Sequence, residues 1–95
     1  RVVVIGPSHR AQVNGTSIAD FDSYQTPLGD LPIERSLVKK LRSDFGLQFN
    51  PEAHHEHSTE VQMPFIKEYL PDVSVVELVY GAEEPGRLAK IINYL

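Results

Sequence analysis

No cysteine occurs in the 95 residues, so disulfides and thiolate ligands from this chain are excluded. No apolar run approaches the length of a membrane span. Concentrated positive charge is also missing. Nine Lys and Arg stand against thirteen Asp and Glu, for a net charge of -4. The basic residues Lys39, Lys40, Arg42, Lys67, Arg87 and Lys90 are scattered and answered by nearby acids, which speaks against binding a nucleic-acid backbone. No internal repeat, low-complexity stretch or linker divides the sequence. A signal-peptide pattern is absent too, but the chain opens on Arg1 rather than Met, so a missing N-terminal part is expected. Cytoplasm is the default expectation for its location.

What is present reads as an ordinary globular composition, 41% hydrophobic and 23% charged. Val2–Ile5 is wholly apolar and β-branched, as in a buried strand of a parallel sheet, and Gly6-Pro7 is expected to end it. The segment from Arg10 to Ile33 is polar and turn-rich, with short extended pieces expected around Ile18–Tyr24. Leu37, Leu41 and Phe45 recur at helical spacing beside Val38, predicting a helix from Glu34 to about Asp44 that Gly46 closes. Asn50 to His57 is a second loop holding three of the four histidines. A further helix is predicted from Ser58 or Thr59, with a Thr59/Gln62 capping box. Its apolar stripe would be Val61, Phe65 and Tyr69 with Ile66 and Leu70, and its axis would bend at Pro64. Val73–Tyr80 is the clearest strand, and Leu88, Ile91, Ile92 and Leu95 mark a last helix from near Pro85.

The order strand, helix, helix, strand, helix predicts an α/β layered fold with a largely parallel sheet flanked by helices. Two strands make a poor sheet, so the remaining strands are expected from the rest of a domain or from a partner chain.

In such sheets ligands gather beyond the carboxyl ends of the strands. His9 follows the first strand at that position, with the Ser8 hydroxyl beside it. The run His54-His55-Glu56-His57 places more imidazoles ahead of a helix, with Glu56 and Glu60 able to accept a hydrogen bond from a ligand ring and fix its tautomer. The same run also reads as a solvated polar loop, and His9 as a loop histidine satisfied by solvent. A structural zinc site is weakened by the missing cysteines. Two histidines with a further ligand and open positions suit non-haem iron, copper or zinc.

Three blocks carry a family resemblance: Gly6-Pro7-Ser8-His9-Arg10, Tyr24-Gln25-Thr26-Pro27-Leu28-Gly29, and Glu56-His57-Ser58-Thr59-Glu60-Val61-Gln62-Met63-Pro64-Phe65. In order and spacing they resemble the Memo family, also called AmmeMemoRadiSam system protein B. Residues 1–95 then look like the N-terminal part of a Memo-like domain. The resemblance implies a truncated class III extradiol dioxygenase-like fold and a pocket in which His9 and His57 are metal ligands. The family's third ligand, a distant cysteine, has no counterpart here. Implied cofactors are divalent or redox metals, iron or copper ahead of zinc. Implied associates are a radical-SAM protein and an AMMECR-type protein, alongside a small-molecule or peptide ligand. His54 and His55 fall outside the carried-over positions. The Tyr24–Gly29 block reads as a turn, with Pro27 and Gly29 as turn residues and Thr26 as a local cap.

Two functions follow from the resemblance. One is a non-haem iron or copper redox protein or dioxygenase-like enzyme of unknown substrate. The other is a non-catalytic binding or signalling module that keeps the pocket.

Overall fold

The computed structural model describes residues 1–8, 13–55 and 57–95, with the backbone alone at residues 55, 57 and 58. The described elements are β1 (Val2–Pro7), β2 (Thr16–Ile18), β3 (Ser23–Thr26), β4 (Gly29–Pro32), α1 (Arg35–Phe45), a 3-10 turn (Pro51–His55), α2 (His57–Glu60), α3 (Met63–Tyr69), β5 (Val75–Tyr80) and α4 (Pro85–Tyr94). The result is a mixed α/β architecture.

The two apolar runs pair side by side and parallel, Val2 opposite Val75 through Pro7 opposite Tyr80. Pro7 prolongs β1 rather than ending it. The amides of Val2 and Ser8 donate to the carbonyls of Ser74 and Tyr80 at 2.9 and 2.7 Å. Even-numbered amides therefore face β5, and the N–H that Pro7 lacks would have pointed the other way, at no cost to the ladder.

The parallel character stops there. On the other side of β5 lies β2, antiparallel, giving the order β1-β5-β2, so the sheet is partly rather than largely parallel. The expected extended pieces thus resolve into a strand and a separate hairpin, β3–β4. The hairpin turn is Thr26-Pro27-Leu28-Gly29, as its turn chemistry predicts. The Thr26 hydroxyl donates to the Gly29 carbonyl at 2.5 Å and accepts from the Leu28 amide at 3.2 Å. Gly29 sits at φ 122, where a side chain would be strained.

Helix α1 matches its pattern. Val38 and Leu41 are fully buried, Leu37 and Phe45 pack at the core margin, and Gly46 closes the helix in the left-handed region at φ 64. The second predicted helix is two. Pro64 lacks the N–H that a continuous helix would need, and the chain breaks into α2 and α3 with Pro64 in the first turn of the latter. Thr59 lies within α2 rather than ahead of it, and Gln62 is the residue that precedes α3. The expected stripe is also displaced. Met63 is buried and Ile66 packs at the core margin, whereas Phe65 and Tyr69 are 66% and 76% exposed. The main core joins Val4, Ile18, Leu31, Val38, Leu41, Met63, Val76, Leu78 and Ile91, drawing on strands and helices along the whole chain. No helix among the described residues is long and apolar enough to cross a membrane.

Candidate functional site

The centre of β5 holds a carboxyl. Glu77 pairs with Val4 of β1 and is fully buried in a strand that is otherwise apolar. Its Oε1 receives the Nδ1 of His54 at 2.6 Å and the hydroxyl of Tyr24. His54 lies in the 3-10 turn and is only 5% exposed. Its other ring nitrogen, Nε2, meets the Ser17 Oγ of β2 at 2.8 Å. That hydroxyl oxygen already accepts the Asn50 backbone N–H at 2.8 Å. Its own proton is free to go to Nε2, an arrangement that puts the neutral ring's hydrogen on Nδ1, facing Glu77. Phe21 and Phe49 flank the imidazole with ring centroids 6.4 and 5.6 Å away.

The local sequence explains this convergence. Ser17 faces Val79 across the β2–β5 ladder, and Val79 shares a face of β5 with Glu77, two residues away. The 3-10 turn lies over that face. Ala53 packs with Val79 and Val13 beside the polar group. Burial pushes the Glu77 carboxyl up to about 8. Among the described residues its Oε2 has no hydrogen-bond partner, and a neutral acid is cheaper to bury there than a carboxylate. Acid, imidazole and phenol together form a chain able to hold and move a proton on the Oε1–Nδ1 line.

A cavity of about 590 Å³ opens beside this chain. Tyr24 and His54 line it together with Phe21, Phe49, Met63 and Glu60. Its walls are mostly apolar, and its size falls in the range of small-molecule sites.

Of the residues singled out from sequence, His9 and Glu56 lie outside the described residues. His57 opens α2, and only its backbone is described. Ser8 is half-buried and continues the β1–β5 ladder at the carboxyl end of the parallel pair. Glu60 ends α2, is exposed, and lines the cavity. Helix α2 packs against β1, so the segment carrying His57 approaches the strand that leads through Ser8 to His9. Among the described residues, no group of three His, Cys, Asp or Glu side chains could hold a metal ion.

Sequence reasoning passed over Glu77 and set His54 aside. A signal was available for the first: one acid in the run Val-Val-Glu-Leu-Val-Tyr, where the pleat leaves no solvent-facing position in a central strand. For His54 there was none, because His54, His55 and His57 look alike in sequence, and it is the turn that brings His54 against the sheet.

The comparisons agree with the motif blocks. The family model for Memo-like proteins matches residues 1–95. The chain is 41% identical over 68 residues to the protein memo-1 homolog of Caenorhabditis elegans, covering 70% of this chain and 19% of that protein. It is 33% identical to a MEMO1 family protein of Metallosphaera sedula, over 88% of this chain and 30% of the relative. A MEMO1 family protein of Thermotoga petrophila is 31% identical over 99% of this chain and 35% of its own length. The chain thus spans between 19% and 35% of the length of these curated relatives. With a model match over its full length and relatives aligned across most of it, the chain belongs to the Memo family.

Proposed function

We propose that this chain supplies two imidazole ligands, His9 and His57, to a metal centre in a class III extradiol dioxygenase-like domain. The observation that supports the reading is the packing of α2, which His57 opens, on β1, the strand that precedes His9 in sequence. A donor set of two imidazoles from converging segments fits iron or copper, and zinc less well in the absence of thiolates. In this reading the remaining ligands come from the rest of the domain, as the family resemblance implies. When bound, such a metal supplies Lewis-acid or redox chemistry.

The chain's own part is to hold the ligands. Ser8 and Glu56 are placed in sequence to accept or donate hydrogen bonds beside them. The His54–Glu77 pair fastens the 3-10 turn to the sheet three residues before α2 begins. Substrate and reaction are those of the whole domain, of which this chain is a part. A non-catalytic binding module is the second reading, favoured by the mostly apolar cavity beside Tyr24 and His54.

The test is metal content, by elemental analysis, of the intact protein purified without air or chelator. Near-stoichiometric iron or copper is expected, falling sharply in His9→Ala and in His57→Ala while the folded signal stays native. If either variant unfolds yet binds as much metal per folded molecule, that histidine is structural and the assignment is wrong. No metal in any of the proteins, even after adding iron(II), copper and zinc, leaves the binding-module reading.

A further inference from the structure

The cavity beside Tyr24 and His54 has a chemical bias that the metal reading does not use. Three aromatic rings, Phe21, Tyr24 and Phe49, stand on its walls, with Phe21 at 4.9 Å from Tyr24 edge-on and 5.9 Å from Phe49. Aromatic faces are electron-rich and attract cations. Among its described lining residues Glu60 alone carries a formal charge, and no Lys or Arg is present to balance an anion.

Hydrogen-bond accounting points the same way. Both ring nitrogens of His54 are engaged, with Ser17 and with Glu77. The Thr26 hydroxyl is committed to its own turn. The Tyr24 hydroxyl gives its proton to Glu77, so what it can offer a ligand is an oxygen lone pair. The Glu60 carboxylate and the Tyr24 oxygen are therefore acceptors that the wall offers beside the neutral groups of Ser23 and Gln25, and the buried neighbour behind Tyr24 is another acid.

We propose that this cavity binds a small organic cation, an alkyl- or arylammonium whose apolar body lies among Phe21, Phe49 and Met63 and whose charge faces Glu60 and the Tyr24 oxygen. At about 590 Å³ the space accommodates a ring and a short chain. An acid of the same shape would meet the Glu60 carboxylate with no Lys or Arg among the described lining residues, and a neutral analogue would lose both the ring-face and carboxylate attraction. The probes below are read with chelator present, so binding here is scored separately from metal content.

The test uses three probes of one shape, benzylammonium, benzyl alcohol and benzoate. Each is titrated by calorimetry and aromatic-region NMR into the intact protein in the presence of chelator. Benzylammonium is expected to saturate and shift Phe21, Tyr24 and Phe49 signals, with affinity about tenfold above benzyl alcohol and benzoate weakest of the three. Glu60→Gln, at an exposed position that leaves the fold intact, should erase most of that preference while benzyl alcohol binding persists. Phe49→Leu should weaken benzylammonium more than benzyl alcohol. Benzoate binding as tightly as benzylammonium, a cation preference that survives Glu60→Gln, or no saturable binding by any probe would each overturn the proposal.

Discussion

In the middle of the sheet a carboxyl occupies a place where an apolar side chain is expected. On α3 a phenyl ring and a phenol stand where water is. Around Glu77 the chain has built a partner set from separate elements: the 3-10 turn gives His54, β3 gives Tyr24, and β2 gives the Ser17 that holds His54 from behind. Around Phe65 and Tyr69 the described residues offer little cover, and both remain two-thirds or more exposed. The same helix turns Met63 inward, so α3 is anchored on one side and bare on the other. A buried polar group is tolerated only with partners, whereas an exposed apolar group costs folding little. The first exception is thus a built feature of the fold. The second is a surface that the fold of these residues does not need.

The largest expected effect breaks the built feature. Glu77→Ala leaves the Nδ1–H of His54 buried without its acceptor and opens a void in β5, and should cost about 3–5 kcal/mol in denaturant unfolding. A loss below about 1 kcal/mol would mean that the pair is incidental to stability.

Next is Met63→Ala, which removes the inward anchor of α3 and should cost about 2–4 kcal/mol by the same measurement.

The pH dependence sharpens the contrast further. Below about 4.5 the Glu77 carboxyl is protonated whether the chain is folded or not; between there and about 8 the unfolded chain releases the proton and the folded one retains it. The stability contributed by this group is therefore present in acid and lost as pH rises through about 8. Across that window the decline should be on the order of 5 kcal/mol, and Glu77→Gln, which cannot titrate, should flatten it.

At the small end, Phe65→Ser and Tyr69→Ser should each shift the stability of this chain by less than about 0.5 kcal/mol. A larger loss would show that the outer face of α3 is covered in the folded protein.

Much of this arrangement is legible in the residues. The parallel pair β1–β5 follows from two β-branched runs, α1 from four apolar residues at helical spacing, and the hairpin turn from Thr-Pro-Leu-Gly. The failures have physical causes. Periodicity in the segment after His57 predicts one apolar face, but Pro64 resets the helix, and the phase of α3 is then set by its packing on β3 and β4. The strand β2 is three residues long and carries Thr and Ser, too short and too polar to announce itself; its burial comes from pairing with β5. The proton-holding centre joins residues 17, 24, 54 and 77, a constellation that no local pattern encodes. Helix α2, which His57 opens, packs on β1, the strand that leads in sequence to His9, and the proposed function has these two histidines cooperate on one metal.

The most direct measurement of that cooperation is the number of imidazoles bound to the metal, counted by electron spin-echo modulation on the intact protein loaded with copper(II). Two are expected in the wild type and one in His9→Ala or His57→Ala, with His54→Gln leaving the count at two. A count unchanged in both His9→Ala and His57→Ala would contradict the assignment of these histidines as ligands.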